Sequence, residues 1–233
     1  MRNLYEQTDR SLKKLKRVIT REFQRLISLA FDEISAITAP KIVTETYDRL
    51  LEENKKEYKK ICDDAIEYAL VFLEELQEQY GGTDFFFDKV EKEIKAEDIV
   101  DEYLKAYNPV TGYVYEREVK RKEARTSEGM IAAKKSKDRP FYRKILETST
   151  NLWFTQTKQY ADDIADGTVL KVWKTAGVKK VKWVTAKDEK VCGECGPLDE
   201  KIFDIDKVPD KPHYNCRCQK VPIVVQEDNN TER

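Results

Sequence analysis

The chain has 233 residues, of which 40% are hydrophobic and 37% charged, and its formal net charge is −1. This composition supports one large domain or two modest ones. Eight glycines and seven prolines are too few for a turn-rich all-β fold, and no run approaches the about 18 apolar residues of a membrane span. The first ten residues contain no apolar signal segment, so the sequence predicts a protein that is made and used in a reducing cytoplasm.

The near-zero net charge conceals two regions of opposite sign. Residues 44–107 contain 19 acidic and 9 basic residues, whereas residues 116–144 contain 11 basic and 5 acidic ones. The first predicted helix is also basic. This distribution favours different partners for different regions of the chain.

Apolar residues at steps of three and four predict two long helices in the N-terminal half. The first covers residues 9–38, and Ala39-Pro40 interrupts it because proline disfavours helical geometry in the residue before it. The second covers about residues 43–80 and ends at Gly81-Gly82. Two long helices with a short break between them predict an antiparallel helical hairpin, and one or two shorter helices follow within residues 83–107.

A turn signal at residues 108–112 separates these helices from a highly charged segment. This segment, residues 113–139, is weakly periodic and is compatible with a solvated helix or with a mobile arm. A further helix is predicted from Pro140 to about Asp166, with Gly167 at its C-terminal end.

Alternation of apolar and polar residues predicts strands after Gly167. Residues 169–174 and 180–185 both alternate, and Ala176-Gly177 forms the turn between them. A third strand is predicted at residues 220–225.

The sequence therefore predicts an α+β chain in four parts. Residues 1–112 form the long N-terminal helical region that contains the hairpin, and residues 113–139 form a charged linker or arm. Residues 140–225 form a small zinc-stabilised domain with short antiparallel strands, in which Trp153, Trp173 and Trp183 are core residues. Residues 226–233 form a polar tail.

The zinc prediction comes from a cluster of cysteines beside the only histidine. Cys192 and Cys195 form a C-x2-C pair, and His213, Cys216 and Cys218 form an H-x2-C-x-C segment. Zinc takes four soft or borderline ligands in a tetrahedron, and two close pairs separated by a loop supply them. An odd number of cysteines in a cytoplasmic protein favours a metal site over a disulfide framework.

Five candidates compete for four ligand positions. The preferred set is Cys192, Cys195, His213 and one of Cys216 or Cys218, with Cys218 slightly favoured. An all-cysteine set without His213 is the main rival.

A catalytic role for this metal is disfavoured by the same residues. A catalytic zinc keeps an open position for water and has a base nearby. The chain has one histidine, so most histidine-dependent mechanisms are excluded if His213 is a ligand. The sequence predicts a structural zinc and no enzyme.

Residues 183–195 read WVTAKDEKVCGEC and residues 212–218 read PHYNCRC, with Leu198-Asp199 and Ile202-Phe203 between them. In order and spacing this stretch resembles the phage Mu protein F-like family of head morphogenesis (minor capsid) proteins. The C-terminal domain of that family carries W-x-T-x-x-D-x-x-V-C-x-x-C, a leucine-Asp/Asn-Gly step and H-x-N-C-R-C. The resemblance covers about residues 140–225.

Two residues depart from the family pattern. Glu200 stands where the family has glycine after Asp199, and Tyr214 stands where proline often follows the histidine. Neither is a candidate ligand, so both changes concern the shape of the loop.

The resemblance implies a minor capsid protein of the phage head, present in the host cytoplasm during assembly and in the virion afterwards. Its implied partners are the portal protein and other capsid or scaffolding proteins. Packaged double-stranded DNA is a further possible partner through the lysines and arginines of residues 117–144. The alternatives are a zinc-containing nucleic-acid-binding protein and a Mu F-type enzyme associated with an effector or toxin.

Overall fold

The computed structural model describes residues 4–32, 38–81, 84–135, 139–187, 189 and 191–223. Their elements are α1 (Leu4–Asp32), α2 (Ala39–Tyr80), α3 (Phe87–Glu93), α4 (Ala96–Lys105), β1 (Tyr107–Asn108), β2 (Tyr113–Val114), α5 (Tyr115–Lys135), α6 (Arg139–Thr175), β3 (Lys180–Val184), β4 (Ile202–Asp204) and β5 (Gln219–Ile223). The predicted α+β class is confirmed, with a long N-terminal helical region and a small C-terminal region of short antiparallel strands. None of the described helices is apolar over a length that would cross a membrane.

The contacts divide the chain into two compact units. The first unit contains Met1–Asp64 and Ala96–Ala165, and the second contains Ala65–Lys95 and Asp166–Arg233. Helices α2 and α6 each contribute residues to both units.

Helices α1 and α2 form the predicted antiparallel hairpin within the first unit. Lys14 of α1 forms an ion pair with Glu57 of α2. Two turns further along α1, Glu22 Oε2 lies 3.2 Å from Nη2 of Arg49. The partner in α2 moves backward as the position in α1 moves forward, which is the arrangement of antiparallel helices.

The start of α2 lies earlier than predicted. The helix begins at Ala39 instead of about Val43, and Pro40 is its second residue. Proline is tolerated in the first turn because the N–H that it lacks has no partner within the helix there. At the other end, Gly81 adopts a φ of +57° directly after Tyr80, as the predicted glycine stop requires.

The charged segment after the turn begins with β2 and is helical from Tyr115 to Lys135. Asn108 Oδ1 accepts hydrogen bonds from the backbone N–H groups of Val110 and Thr111, at 3.0 and 2.9 Å. This turn joins β1 to β2, and α5 follows directly. Helix α5 buries Tyr115 and Val119, so one of its faces belongs to the core of the first unit.

The prediction of a strand at residues 169–174 was wrong, as was the helix end at Gly167. Helix α6 continues through Gly167 to Thr175. The stretch contains Val169, Val172 and Trp173, and all three are buried. Val172 and Trp173 follow Val169 by three and four residues, a spacing that also fits one face of a helix. Periodicity alone does not separate a short alternating run from a buried helix segment, and one interior glycine costs a helix only about 1 kcal/mol.

The second unit contains a three-stranded antiparallel sheet with β3 between β4 and β5. Lys180 pairs with Asp204 of β4 on one side and with Ile223 of β5 on the other. The strands predicted at 180–185 and 220–225 are therefore present as β3 and β5, and residues 224 and 225 lie outside the described part. Strand β4 was not predicted from the sequence.

All three tryptophans are buried, as expected. Trp173 and Trp183 lie in the second unit. Trp153 belongs to the first unit, where its ring centroid is 5.3 Å from that of Tyr47.

A buried ion pair in the second unit predicts an unequal effect of two aspartate substitutions. Lys211 Nζ lies 2.6 Å from Asp166 Oδ2, and their side chains are 4% and 17% exposed. Asp206 pairs with Lys174, and both of these side chains are about 60% exposed. Asp166→Asn removes the carboxylate that pairs with the buried Lys211 and should lower the free energy of unfolding by about 3 kcal/mol, whereas Asp206→Asn should change it by less than about 1 kcal/mol.

The measurement is urea unfolding followed by tryptophan fluorescence. Equal midpoints for the two variants would contradict the structural importance of the Lys211–Asp166 pair.

Candidate metal centre

The first two candidate ligands lie in a tight turn that follows β3. The backbone N–H of Cys195 donates to Cys192 Sγ at 3.3 Å, and the N–H of Gly196 donates to the carbonyl of Cys192 at 3.0 Å. Both bonds fold the segment back on itself. The thiols of Cys192 and Cys195 consequently lie on the same side of the turn.

The other three candidates lie in the segment that leads into β5. Asn215, between His213 and Cys216, adopts a φ of +56°. Asparagine tolerates this left-handed conformation better than most residues, and it reverses the chain between the histidine and the cysteines. The Nδ1 atom of His213 lies 2.9 Å from the carbonyl oxygen of Tyr214, which orients the ring with Nε2 towards the thiols.

The two segments meet at Cys195. Its Sγ atom lies 3.3 Å from His213 Nε2 and 3.6 Å from Cys216 Sγ, and Cys192 Sγ lies 3.0 Å from His213 Nε2. Ligand atoms at the corners of a tetrahedral zinc site are about 3.5–3.8 Å apart, as Zn–S and Zn–N lengths of about 2.3 and 2.0 Å require. The two separations from Cys195 are close to the edges of such a tetrahedron, and the separation between Cys192 and His213 is shorter.

The five candidate residues form two overlapping groups. Cys192, Cys195 and His213 have ligand atoms within 4.8 Å of one another, and so do Cys195, Cys216 and Cys218. Both groups consist of thiols and an imidazole only. The structure therefore brings together all five residues that the sequence singled out, with Cys195 in both groups, and the cluster could hold a metal ion.

The environment of the thiols is divided between a buried and an open side. Cys195, Cys216 and Cys218 are buried in one apolar cluster with Trp183, whereas Cys192 and His213 are partly exposed. The N–H group of Cys195 lowers the pKa of Cys192 to about 7. Burial raises the pKa of Cys195 and of Cys216.

The donor set fits zinc. All five cysteines are free thiols, and thiolate is the form that binds metal. Burying several thiolates together is unfavourable unless a cation compensates them, and a coordinating divalent cation deprotonates thiols outright. Thiolate and imidazole are the donors that structural zinc sites use.

A hydrogen bond that the sequence analysis did not identify anchors the loop between the two segments. Asp199 Oδ1 accepts from the backbone N–H of Thr185 at 2.8 Å, and the N–H of Glu200 donates to the carbonyl of Trp183 at 2.8 Å. These bonds return the chain from the cysteine turn to the end of β3. The sequence did offer a signal for this contact, since Asp199 stands directly before the turn residue Glu200. Aspartate side chains commonly accept hydrogen bonds from backbone N–H groups in turns.

Two lysines near the cluster were also missed. Lys211 forms the buried pair with Asp166, and Lys220 Nζ lies 5.4 Å from the ring centroid of Trp183. Burial lowers the pKa of Lys220. Lysine is seldom buried, so the sequence carries no signal for either contact. Asp188, which the sequence analysis includes in the motif, lies outside the described residues.

Comparison of the chain with protein-family models, curated proteins and solved structures found no match.

The turn at Glu200 yields a prediction about stability. Glu200 has a φ of +60°, a conformation that costs a residue with a Cβ roughly 1 kcal/mol and glycine almost nothing. Its carboxylate also pairs with Lys182 and Lys187, at 2.8 and 2.7 Å, and these contacts lower the pKa of Glu200 to about 2. Glu200→Ala removes the pairs and keeps the strain, whereas Glu200→Gly removes both.

Glu200→Gly should therefore be more stable than Glu200→Ala by about 1 kcal/mol. Thermal unfolding of the two variants at one pH measures the difference. An alanine variant as stable as the glycine variant would mean that the backbone at this position is not strained.

Proposed function

We propose that this chain is a phage minor head protein of the Mu F type, with a structural zinc ion closing the loops of its second unit. It acts in head morphogenesis, in the host cytoplasm during assembly and then in the virion. The observation that carries the proposal is the meeting of the C-x2-C turn and the H-x2-C-x-C segment at Cys195, against Trp183. The resemblance in sequence rests on these same residues.

The conformation of the Asp199–Glu200 turn gives independent support. The Mu F pattern has glycine at the position of Glu200, and glycine is the residue that a left-handed backbone favours. Glu200 keeps this backbone conformation, with a φ of +60°. A turn that suits glycine, at the position where the family carries glycine, is consistent with a shared loop despite the substitution.

The environment of the cluster supports a structural zinc more than a catalytic one. Three of the thiols are buried with Trp183, and the five candidates exceed the four ligands that close a tetrahedral site. His213 is the only histidine of the chain and its Nε2 already faces two thiols. A histidine held as a ligand is not available as a general base.

Zinc binding is tested first by metal analysis. The purified protein should contain one zinc per chain, and Cys195→Ser should lose both the zinc and the folding of the second unit, because metal-binding free energy is also folding free energy in small metal sites. Cys62→Ser is the matched control, since Cys62 is buried in α2 in the first unit. A parent protein without zinc, or a Cys195→Ser variant that retains it, would contradict the proposal.

The same measurement separates the candidates for the fourth position. Sequence reasoning slightly favours Cys218, whereas the structure places Cys216 Sγ at 3.6 Å from Cys195 Sγ. We expect Cys216→Ser to lower zinc affinity more than Cys218→Ser. The reverse order would favour Cys218, and equal zinc affinity in both variants would mean that either cysteine can supply the fourth ligand.

The proposed partners are the portal protein and other capsid or scaffolding proteins. Co-expression with the portal protein of the same phage should give a complex that elutes with the portal ring in size-exclusion chromatography. The Cys195→Ser variant shows whether the zinc-containing unit is needed for this association. Separate elution of portal and zinc-loaded chain at micromolar concentrations would argue against the proposed role.

Packaged DNA is a second proposed partner, and the exposed face of α5 favours it. Glu118 is buried and accepts from Arg121 at 2.7 Å, and Glu123 accepts from Lys120 at 3.1 Å. The two acids are thus largely withdrawn from solvent, while Arg117 and Arg125 remain exposed. Helix α1, which packs against α5, adds further exposed basic residues: Arg10, Lys13, Lys16 and Arg17.

Binding of double-stranded DNA should weaken steeply with salt, because each phosphate contact releases condensed counterions. Arg117→Gln should reduce the slope of log K against log salt by about 0.9, the value for one lost phosphate contact. Lys105→Gln, which removes an exposed lysine paired with Asp101, is the control. If both variants bind DNA as the parent does, Arg117 does not contact the phosphates.

A further inference from the structure

The first unit contains a cavity of about 390 Å³ between α2, α5 and α6. This volume lies in the range of roughly 300–1,000 Å³ that small-molecule sites occupy. The cavity is independent of the zinc cluster, because all of its lining residues belong to the first unit. Its apolar walls come from Tyr47, Tyr113, Leu146 and Leu152.

Three basic residues of α5 also line this cavity, together with one acidic residue. The acid, Glu118, is matched by Arg121, whose Nε and Nη2 atoms each lie 2.7 Å from one of its oxygens. In the part of the chain that the structure describes, Lys122 and Arg125 have no ion-pair partner. Glu118 also favours the charged form of Lys122, but the three basic residues and one acid together leave the lining of this mostly apolar cavity with an excess of positive charge.

Lys122 is the more unusual of the two cations. Its side chain is partly buried, its Nζ lies 5.8 Å from the ring centroid of Trp153, and burial lowers its pKa. Burying a charge is unfavourable unless an opposite charge or hydrogen bonds compensate it. An anion that enters the cavity would supply that compensation.

The helix places the polar groups on one wall. Lys122, Arg125 and Thr126 are separated by three and four residues, so they lie on one face of α5. The hydroxyl of Thr126 lies 2.7 Å from that of Tyr47, which fixes this wall at its buried end. An ammonium and a guanidinium one turn apart suit a dianion, and a guanidinium binds phosphate oxygens in pairs.

We propose that this cavity binds a small phosphate monoester with an aromatic or aliphatic body. The phosphate lies between Lys122 and Arg125, and the body packs against Tyr113, Leu146 and Leu152. A phosphate monoester carries a charge of about −1.5 to −2 at neutral pH, which complements the excess positive charge of the lining. The apolar walls add a preference for an organic ester over inorganic phosphate.

The test is nuclear magnetic resonance titration of the full chain with phenyl phosphate and deoxyadenosine 5′-monophosphate. Both should shift amide resonances of α5 and α6, whereas phenol, deoxyadenosine and inorganic phosphate should bind at least about tenfold more weakly, the effect of losing a charge-assisted contact or the apolar body. A 5′-phosphorylated and an unphosphorylated hexathymidylate distinguish a free ester from the end of a strand as the source of the phosphate.

Variants locate the site. Lys122→Met and Arg125→Gln should each weaken binding about tenfold or more, and Lys122→Arg should retain it. Lys105→Gln removes one positive charge from an exposed lysine of the first unit that does not line the cavity, and it should leave ester binding unchanged. The proposal is overturned if neither ester binds the parent, if the analogues without phosphate bind equally well, or if Lys105→Gln weakens binding as much as Arg125→Gln.

Discussion

The second unit depends on what holds Cys195 against Trp183. Its sheet has three short strands, and the cluster around the cysteines consists of Trp183, Cys195, Cys216 and Cys218 with a few partly buried apolar residues. The second unit also buries Leu73, Val172 and Trp173 away from the cysteines, but the cluster at the cysteine loops is small and provides little hydrophobic stabilisation there. Small structures commonly compensate for this with a metal or disulfides. The cysteines and His213 of this unit form a cluster that could hold a metal ion.

The contacts around the cluster all constrain the same loops. Asp199 fixes the return to β3 through Thr185, and Lys211 joins the segment before His213 to Asp166 of α6. Neither contact supplies a ligand atom. They help to fix where the two segments of candidate ligands lie, which would reduce the ordering cost of binding a metal ion.

Sequence reasoning predicted the features that depend on local chemistry. Periodicity predicted the helical hairpin and the strands β3 and β5. Turn residues predicted the helix end at Gly81, and ligand spacing predicted that Cys192 and His213 lie together. It failed where two structures share one pattern, as at residues 169–174, which are helical because Val169, Val172 and Trp173 pack as one helix face. It also missed contacts between residues that are distant in the sequence, such as Lys211 with Asp166. It could not show that Glu118 points inward on α5, which leaves the exposed face of that helix mainly basic.

The central claim is that the cysteines and His213 form a closed, structural zinc site. Zinc K-edge X-ray absorption of the purified protein tests it directly, because the method gives the number, type and distance of the bound atoms. The account predicts three sulfur atoms at about 2.3 Å and one nitrogen at about 2.0 Å, with no bound water. A zinc ion with an oxygen ligand and fewer than three sulfurs would contradict a closed site, and the absence of a zinc edge would contradict the metal itself.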